Sequence, residues 1–138
     1  MKYLALAAVL LAAPVLAQET PSPDGAMVYV VNLDDGAAVS SPVTVVFGLS
    51  GMGVAPSGIE KENTGHHHLL LDREPFAADE ADLSIPGDEN HIHFGGGQTE
   101  VTLDLAPGTH TLQLVLGDAN HVPHVPPVVS DYITITVE

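Results

Sequence analysis

Residues 99–116, with the sequence TEVTLDLAPGTHTLQLVL, contain two apolar stretches on either side of a Pro107-Gly108 turn signal. In each stretch every second residue is hydrophobic: Val101, Leu103 and Leu105 before the turn, and Leu112, Leu114 and Leu116 after it. A period of two residues is typical of a β-strand with one buried face. The stretch therefore predicts two strands and not a helix.

Short apolar segments recur along the rest of the chain, between clusters of Gly, Pro and Asp that favour turns. The predicted strands cover residues 27–32, 42–49, 66–72, 91–94, 99–105, 109–116 and 132–137. None of these segments has the 3.6-residue period of an amphipathic helix. About seven short strands in a chain of this length is the pattern of one immunoglobulin-like domain. We therefore predict an all-β fold, a single antiparallel β-sandwich spanning residues 26–138.

The N-terminal residues 1–17 have the composition of a secretory signal peptide. A positive start at Lys2 is followed by an uncharged apolar run over residues 4–13, and small residues precede the end of the segment at Ala17. The apolar run is too short to remain as a membrane anchor. We therefore expect cleavage after Ala17, a flexible lead-in over residues 18–25, and a periplasmic or secreted location.

The chain of 138 residues carries 18 Asp and Glu against 3 Lys and Arg, which gives a formal net charge of −15 at pH 7. This charge excludes nucleic acids and anionic membrane surfaces as electrostatically attracted partners. The absence of Cys excludes a disulfide scaffold, thiol catalysis and thiolate metal sites. Eight His in so short a chain are unusual, so the functional interpretation depends on where they lie.

If successive strands run antiparallel, three connections meet at one end of the sandwich and bring seven of the eight His together. In a strand, residues i and i+2 share a face, so His-x-His provides two imidazoles from one rigid element. The six predicted metal ligands are His66, His68, His91, His93, His121 and His124. The run Gly95-Gly96-Gly97 is interpreted as room for close backbone approach at this end. His110 is predicted at the opposite end, outside the site.

Imidazole nitrogens suit Zn(II), Cu(II) and Ni(II), and the sequence does not choose among them; the predicted cofactor is a copper or zinc ion. Three further residues are weaker candidates: His67, the thioether of Met52, and Asp118 as a carboxylate that orients an imidazole. A structural interpretation, in which buried imidazoles bond to loop carbonyls, stays open. Because imidazoles bind metal only when neutral, we expect the metal affinity to fall below about pH 6.

Three motifs are long enough to suggest a family: GHHHLLLD at residues 65–72, HIHFGGGQTE at 91–100 and PGTHTLQL at 107–114. With the ending over residues 117–131, they resemble the bacterial domain-of-unknown-function family numbered 4399. This resemblance covers residues 65–138. Residues 35–43 separately resemble the opening of bacterial immunoglobulin-like domains. The resemblance implies an exported bacterial protein that carries these histidine motifs, and it brings no established activity.

The histidine-rich end favours a periplasmic protein that binds copper or zinc for capture, buffering or delivery. The acidic surface agrees with this hypothesis, because it raises the local concentration of cations. An alternative is a non-catalytic envelope binding or structural module that binds no metal and whose histidine-rich loops contact an envelope protein or a glycan. A third hypothesis is a metalloenzyme, but no catalytic residue is identified, and the cations Lys61 and Arg73 lie outside the histidine motifs.

Overall fold

The computed structural model describes residues 19–138 of the chain. The predicted signal peptide at residues 1–17 lies outside these residues. Within residues 19–138, no helix has the length and apolar character needed to cross a membrane.

The described residues form nine strands and one short 3₁₀ turn at Ala78–Glu80. The strands are β1 (Met27–Val30), β2 (Ala38–Val39), β3 (Val43–Ser50), β4 (Gly53–Val54), β5 (Thr64–Leu71), β6 (His91–His93), β7 (Glu100–Leu103), β8 (Gly108–Gly117) and β9 (Ile133–Val137). All seven predicted strands are present, so the prediction of an all-β fold is confirmed. The two additional strands, β2 and β4, have two residues each, which is too short to give a periodic signal.

The strands form two sheets. One has three antiparallel strands in the order β1-β3-β7. The other has six strands in the order β2-β9-β8-β5-β4, with β6 also paired to β5. Its central strands β5, β8 and β9 pair antiparallel, as predicted, whereas the short strands β2 and β4 pair parallel at its edges.

The hydrophobic core lies between the two sheets and is formed by the alternating residues that the sequence indicates. Strand β3 contributes Val43, Val45 and Phe47, and β8 contributes Leu112, Leu114 and Leu116, all of them buried in one cluster. Burial of each large apolar side chain stabilises the fold by about 1.5–3 kcal/mol. The alternation of Leu112, Leu114 and Leu116 predicts the buried face of β8 correctly, and the same period of two holds in β3.

The outer face of β5 and β8 is also buried, which alternation does not predict. Two long connections, residues 72–90 and 118–132, cover this face. Gln113 on β8 joins them, because its Oε1 accepts a hydrogen bond from the Phe76 N–H (2.8 Å) and its Nε2 donates one to the Ser130 carbonyl (3.0 Å). Side chains on this face are therefore enclosed although they point away from the core.

Thr20 and Ser22, within the lead-in that is predicted to be flexible, are hydrogen-bonded to the connection between β8 and β9. The Val125 N–H donates to the Thr20 carbonyl (2.9 Å), and the Ser22 N–H donates to the Val125 carbonyl (3.0 Å). Prolines in the lead-in exclude a central strand, but they leave neighbouring residues free to pair at an edge. The composition of the lead-in therefore indicates correctly that it forms no regular strand, but it does not predict these hydrogen bonds to Val125.

Candidate metal centre

Strand register places histidines from two strands on one face of the six-stranded sheet. His66 and His68 lie two residues apart in β5 and therefore point to the same side. Strand β6 pairs antiparallel with β5 so that His93 lies opposite His68. On the other side of β5, Gly117 of β8 lies opposite His66. The three histidines thus meet on the outer face, beneath the long connections.

The Nε2 atoms of these three imidazoles converge. His66 Nε2 lies 3.0 Å from His68 Nε2 and 3.1 Å from His93 Nε2. One ring nitrogen from each of the three residues falls within 4.8 Å of the other two. Two nitrogens that bind the same zinc ion at about 2.0–2.1 Å lie roughly 3 Å apart. The observed separations therefore match those of neighbouring ligands on one metal ion.

Hydrogen bonding alone explains this arrangement poorly. A neutral imidazole has one N–H and one lone pair, on different nitrogens. His66 Nε2 can therefore make one full hydrogen bond, yet it has two nitrogen neighbours at hydrogen-bond distance. The Nδ1 atoms of His66 and His68 are buried without a hydrogen-bond partner among residues 19–138. A cation would engage all three converging lone pairs at once, with the proton of each ring on Nδ1. It accounts for the close Nε2 contacts, and it leaves the buried Nδ1–H groups of His66 and His68 unpaired among residues 19–138.

The surroundings keep the imidazoles neutral. Burial, followed by the neighbouring His93 and His121, lowers the pKa of His66 to about 4, and Asp118 opposes part of this shift. Burial, followed by His66, lowers the pKa of His68 to about 3. Burial and then His121 also lower the pKa of His93, which is the exposed member. All three rings therefore have a lone pair available at neutral pH.

His121 adds a fourth imidazole from the turn that follows β8. Its ring centroid lies 4.5 Å from that of His93 and 5.1 Å from that of His66. Its backbone has a φ of 66°, in the left-handed region, which costs a residue with a side chain about 1–2 kcal/mol. The four residues His66, His68, His93 and His121 are called the histidine cluster below.

Two glycines provide room for the rings of the cluster. A Cβ at Gly117 would lie 2.6 Å from His68 Nε2, and one at Gly95 would lie 2.7 Å from His93 Nε2. The close approach expected at the Gly95 run is therefore present. Gly117 was not identified from the sequence, because its position opposite a histidine follows only from the register of β5 and β8.

The profile of the family described as Domain of unknown function (DUF4399) matches residues 45–138, which contain the whole histidine cluster. The chain belongs to this family. The family resemblance seen at residues 65–138 is thus confirmed, and the match extends it back into β3. No curated protein and no solved structure matches the chain. The family description names no activity, so the function has to be inferred from the site.

His67 lies on the opposite face of β5, as alternation predicts. Its ring packs against Phe47 in the core, with ring centroids 5.1 Å apart. Neither ring nitrogen has a hydrogen-bond partner in the described part of the chain, and burial lowers the pKa of His67 to about 4. His67 is therefore placed in the core and apart from the cluster.

His91 has a different environment, although it shares β6 with His93. Its Nδ1 lies 2.7 Å from an oxygen of Asp88, and its Nε2 contacts the guanidinium of Arg73. Arg73 in turn forms an ion pair with Glu80 at 2.8 Å. These partners come from the connection before β6, and they hold the ring away from the cluster. Through these contacts His91 holds the connection at residues 72–90 against the sheet.

This arrangement predicts a structural role for Arg73. Substitution Arg73→Met leaves Glu80 and His91 without their shared partner, so we expect the free energy of unfolding to fall by about 1–3 kcal/mol. Urea denaturation measures this loss. The control is Lys61→Met, an exposed cation whose loss should change the stability by less than about 0.5 kcal/mol. Equal stability of the two variants would contradict the role of Arg73.

Two other candidates are placed outside the cluster. His124 is fully buried, and its Nε2 lies 3.0 Å from the Thr64 carbonyl, as the structural interpretation of the histidines expects. Met52 packs against the core, so its thioether is used as apolar filler. The structure therefore brings together four of the six predicted ligands, and His91 and His124 are not among them.

Asp118 does not bond to an imidazole. Its Oδ1 accepts hydrogen bonds from the N–H groups of Asn120 (2.8 Å) and Val122 (3.0 Å), which close the turn that carries His121. The expected orienting role is thus replaced by a role in shaping this turn.

His110 lies at the opposite end of the sheet, as predicted. Its Nδ1 lies 2.8 Å from an oxygen of Asp72, the residue after β5, whereas His66 is near the start of that strand. Its Nε2 lies 2.7 Å from the Ala106 carbonyl. The hydrogen bond to Ala106 and then that to Asp72 raise the pKa of His110. The residue fastens two loops far from the cluster.

Proposed function

We propose that the protein is an exported metal-binding protein that captures, buffers or delivers a copper or zinc ion through the histidine cluster. The observation that supports this most strongly is the convergence of three Nε2 atoms, from His66, His68 and His93, at spacings suited to one ion. The proposed ligands are these three nitrogens, with His121 beside them as a fourth imidazole.

The chemistry of the cluster supports the choice of metal. All the available donors are imidazole nitrogens, which favour Zn(II) and Cu(II) over the hard ions that prefer oxygen. The lowered pKa values of His66, His68 and His93 keep these donors unprotonated at neutral pH. Met52, the thioether considered from the sequence, packs against the core, so it is not placed to select Cu(I).

The exposure of the cluster favours a bound ion that can exchange. His66 and His68 are fully buried, whereas His93 is exposed. A metal held by these residues is reached from the solvent on the side of His93, so it can enter and leave without unfolding of the sheet. Catalysis is less well supported, because Arg73 is paired with Glu80 and offers no free cation for positioning a substrate. Capture or delivery therefore fits the site better than an enzyme does.

The direct test is native mass spectrometry of the protein purified from the envelope of its own organism, followed by calorimetric titration of the stripped protein with Zn(II) and Cu(II). We expect one metal ion per chain and an increase in melting temperature on binding, since a ligand that binds only the folded state stabilises it. A metal-free protein whose melting temperature is indifferent to both ions would support the alternative, a non-catalytic envelope module.

The two adjacent glycines after β6 provide a matched pair of variants. A Cβ at Gly95 would clash with the His93 ring, whereas one at Gly96 would lie 3.2 Å from the flexible Gln98 side chain. His93 is exposed and can rotate away, so Gly95→Ala should keep the fold and lower the metal affinity by at least about 10-fold. Gly96→Ala should leave the affinity unchanged. Isothermal titration of both variants checks this, and equal affinities would contradict the placement of His93 on the metal.

A further inference from the structure

The turn at residues 118–122, which carries His121, depends on one buried carboxylate. Asp118 follows the end of β8 and is only 4% exposed. Besides the two hydrogen bonds to its Oδ1, the main chain of Asp118 accepts from the His121 N–H (3.0 Å) and donates to the Val122 carbonyl (2.8 Å). The His121 carbonyl accepts from the Ile85 N–H (2.7 Å). The turn is therefore closed around Asp118, with His121 held in its left-handed conformation.

The second oxygen of this carboxylate bonds to the N-terminal segment. The Thr20 hydroxyl donates to Asp118 Oδ2 at 2.7 Å, across 98 positions of sequence. Residues 20–22 are fixed there by their main-chain pairing with Val125 and by the Ser22 hydroxyl, which donates to the Pro126 carbonyl at 2.7 Å. The segment and the turn thus share one carboxylate.

Loss of the Thr20 hydroxyl would leave Oδ2 of the buried Asp118 carboxylate without a hydrogen-bond partner. An unpaired oxygen lowers the free energy of unfolding more when it is buried than when water can replace the lost partner. The side chain of Asp118 would then rotate toward water and weaken its hydrogen bonds to Asn120 and Val122. Because these bonds define the turn, the position of His121 would become less well defined. The ring of His121 would then contribute less to a site that needs its nitrogen at a fixed place.

We propose that Thr20 and Asp118 are positioning residues that hold His121 as the fourth ligand of the metal. This inference rests on the proposed metal-binding function and extends it, because it couples the N-terminal segment to the metal site. The coupling is reciprocal: if the segment strengthens metal binding, the bound metal stabilises the segment by the same factor.

The test uses Cu(II) as the probe and compares the wild type with Thr20→Val, Thr20→Ser and Ser22→Ala. Electron paramagnetic resonance counts the nitrogen ligands, and titration gives the dissociation constant. We expect four nitrogens in the wild type, and three with about 10-fold weaker binding in Thr20→Val. Thr20→Ser keeps the hydroxyl, so it should have four nitrogen ligands and the dissociation constant of the wild type. Ser22→Ala loses a hydroxyl from the same segment without touching Asp118, so it should behave as the wild type.

Hydrogen exchange on the wild type gives a second, variant-free measurement. Zn(II) should slow the exchange of the Val125 and Ser22 amides, which pair the N-terminal segment with the connection just after the turn. A wild type that binds no Cu(II) would overturn the proposed function itself. A wild type that binds Cu(II) through three nitrogens, with the same affinity in Thr20→Val and with unaltered amide exchange, would overturn only the role of Thr20 and Asp118.

Discussion

Substitution His93→Ala is expected to lower the affinity for Zn(II) at pH 7 by at least about 100-fold, because it removes one of three converging ligands. His93 is the exposed member of the cluster, and its Nε2 lies 3.1 Å from that of His66. Its removal leaves no cavity in the core, so the variant should fold and melt close to the wild type in the absence of metal. Isothermal titration with Zn(II), together with thermal melts of the metal-free proteins, measures both quantities.

Two histidines outside the cluster serve as matched controls. His91 lies on the same strand two residues earlier, but its ring contacts Asp88 and Arg73. His110 lies at the opposite end of the sheet and contacts Asp72. His91→Ala should reduce stability through the loss of its loop contacts, and both variants should retain the wild-type affinity for Zn(II). Equal loss of affinity in His91→Ala and His93→Ala would contradict the geometry of the cluster.

The second large effect is that of acid on the free energy of unfolding. The metal-free protein should lose stability steeply between pH 6.5 and pH 4. Unfolded histidines titrate near 6.5, whereas the pKa values of the folded His66, His67 and His68 are about 4, 4 and 3. The unfolded state therefore binds more protons in this window, and the free energy of unfolding falls as the pH falls. A difference of three protons corresponds to a slope of up to about 4 kcal/mol per pH unit. Urea denaturation at a series of pH values measures the slope.

His67 provides the control for this slope, because it lies in the core and outside the cluster. Substitution His67→Leu removes one titrating group and should reduce the slope by about one proton. It also removes two buried nitrogens without partners, so we expect the variant to gain about 1–3 kcal/mol of stability at pH 7. A variant with the wild-type slope and lower stability at pH 7 would show that His67 is protonated or bonded in the folded state.

The same pKa values revise the expected pH dependence of metal binding. Unperturbed imidazoles would lose metal below about pH 6. In the folded protein, burial keeps His66 and His68 neutral down to about pH 4 and pH 3. Proton competition therefore begins at a lower pH than the sequence alone indicates. The affinity of the folded state for Zn(II) should be retained at pH 5, even though the metal-free fold is already less stable there.

The alternation of apolar residues was sufficient to predict the fold. Strands β3 and β8 bury the residues that their period of two places on one face. Strand β5 shows the limit of this signal, because both of its faces are buried. The cause is the cover formed by the long connections, which have no period of their own. Pairing of residues 20–22 with Val125 was missed for the same reason, since loop-to-loop hydrogen bonds leave no repeat in the sequence.

The site could be predicted in part. The spacing of His66 and His68 fixes their common face, and antiparallel connectivity brings His93 and His121 to the same end. The same rules predict His91 equally well, and its exclusion depends on Arg73 and Asp88, whose contacts with its ring come from the path of a loop. His124 likewise bonds to the Thr64 carbonyl, a partner that only the three-dimensional structure identifies. The spacing in the sequence thus determines the face of the sheet to which each histidine points. The hydrogen-bond partners nearby determine which imidazole rings remain available to a metal ion.

Anomalous diffraction from crystals grown with Zn(II) at neutral pH would locate a metal ion bound to the histidine cluster. We expect one dominant anomalous peak on the outer face of the six-stranded sheet, about 2.0–2.1 Å from the Nε2 atoms of His66, His68 and His93. A dominant peak elsewhere, for example between Asp88 and His91 or on the acidic surface, would contradict it. So would a Zn(II)-soaked crystal in which the three Nε2 atoms contact only one another.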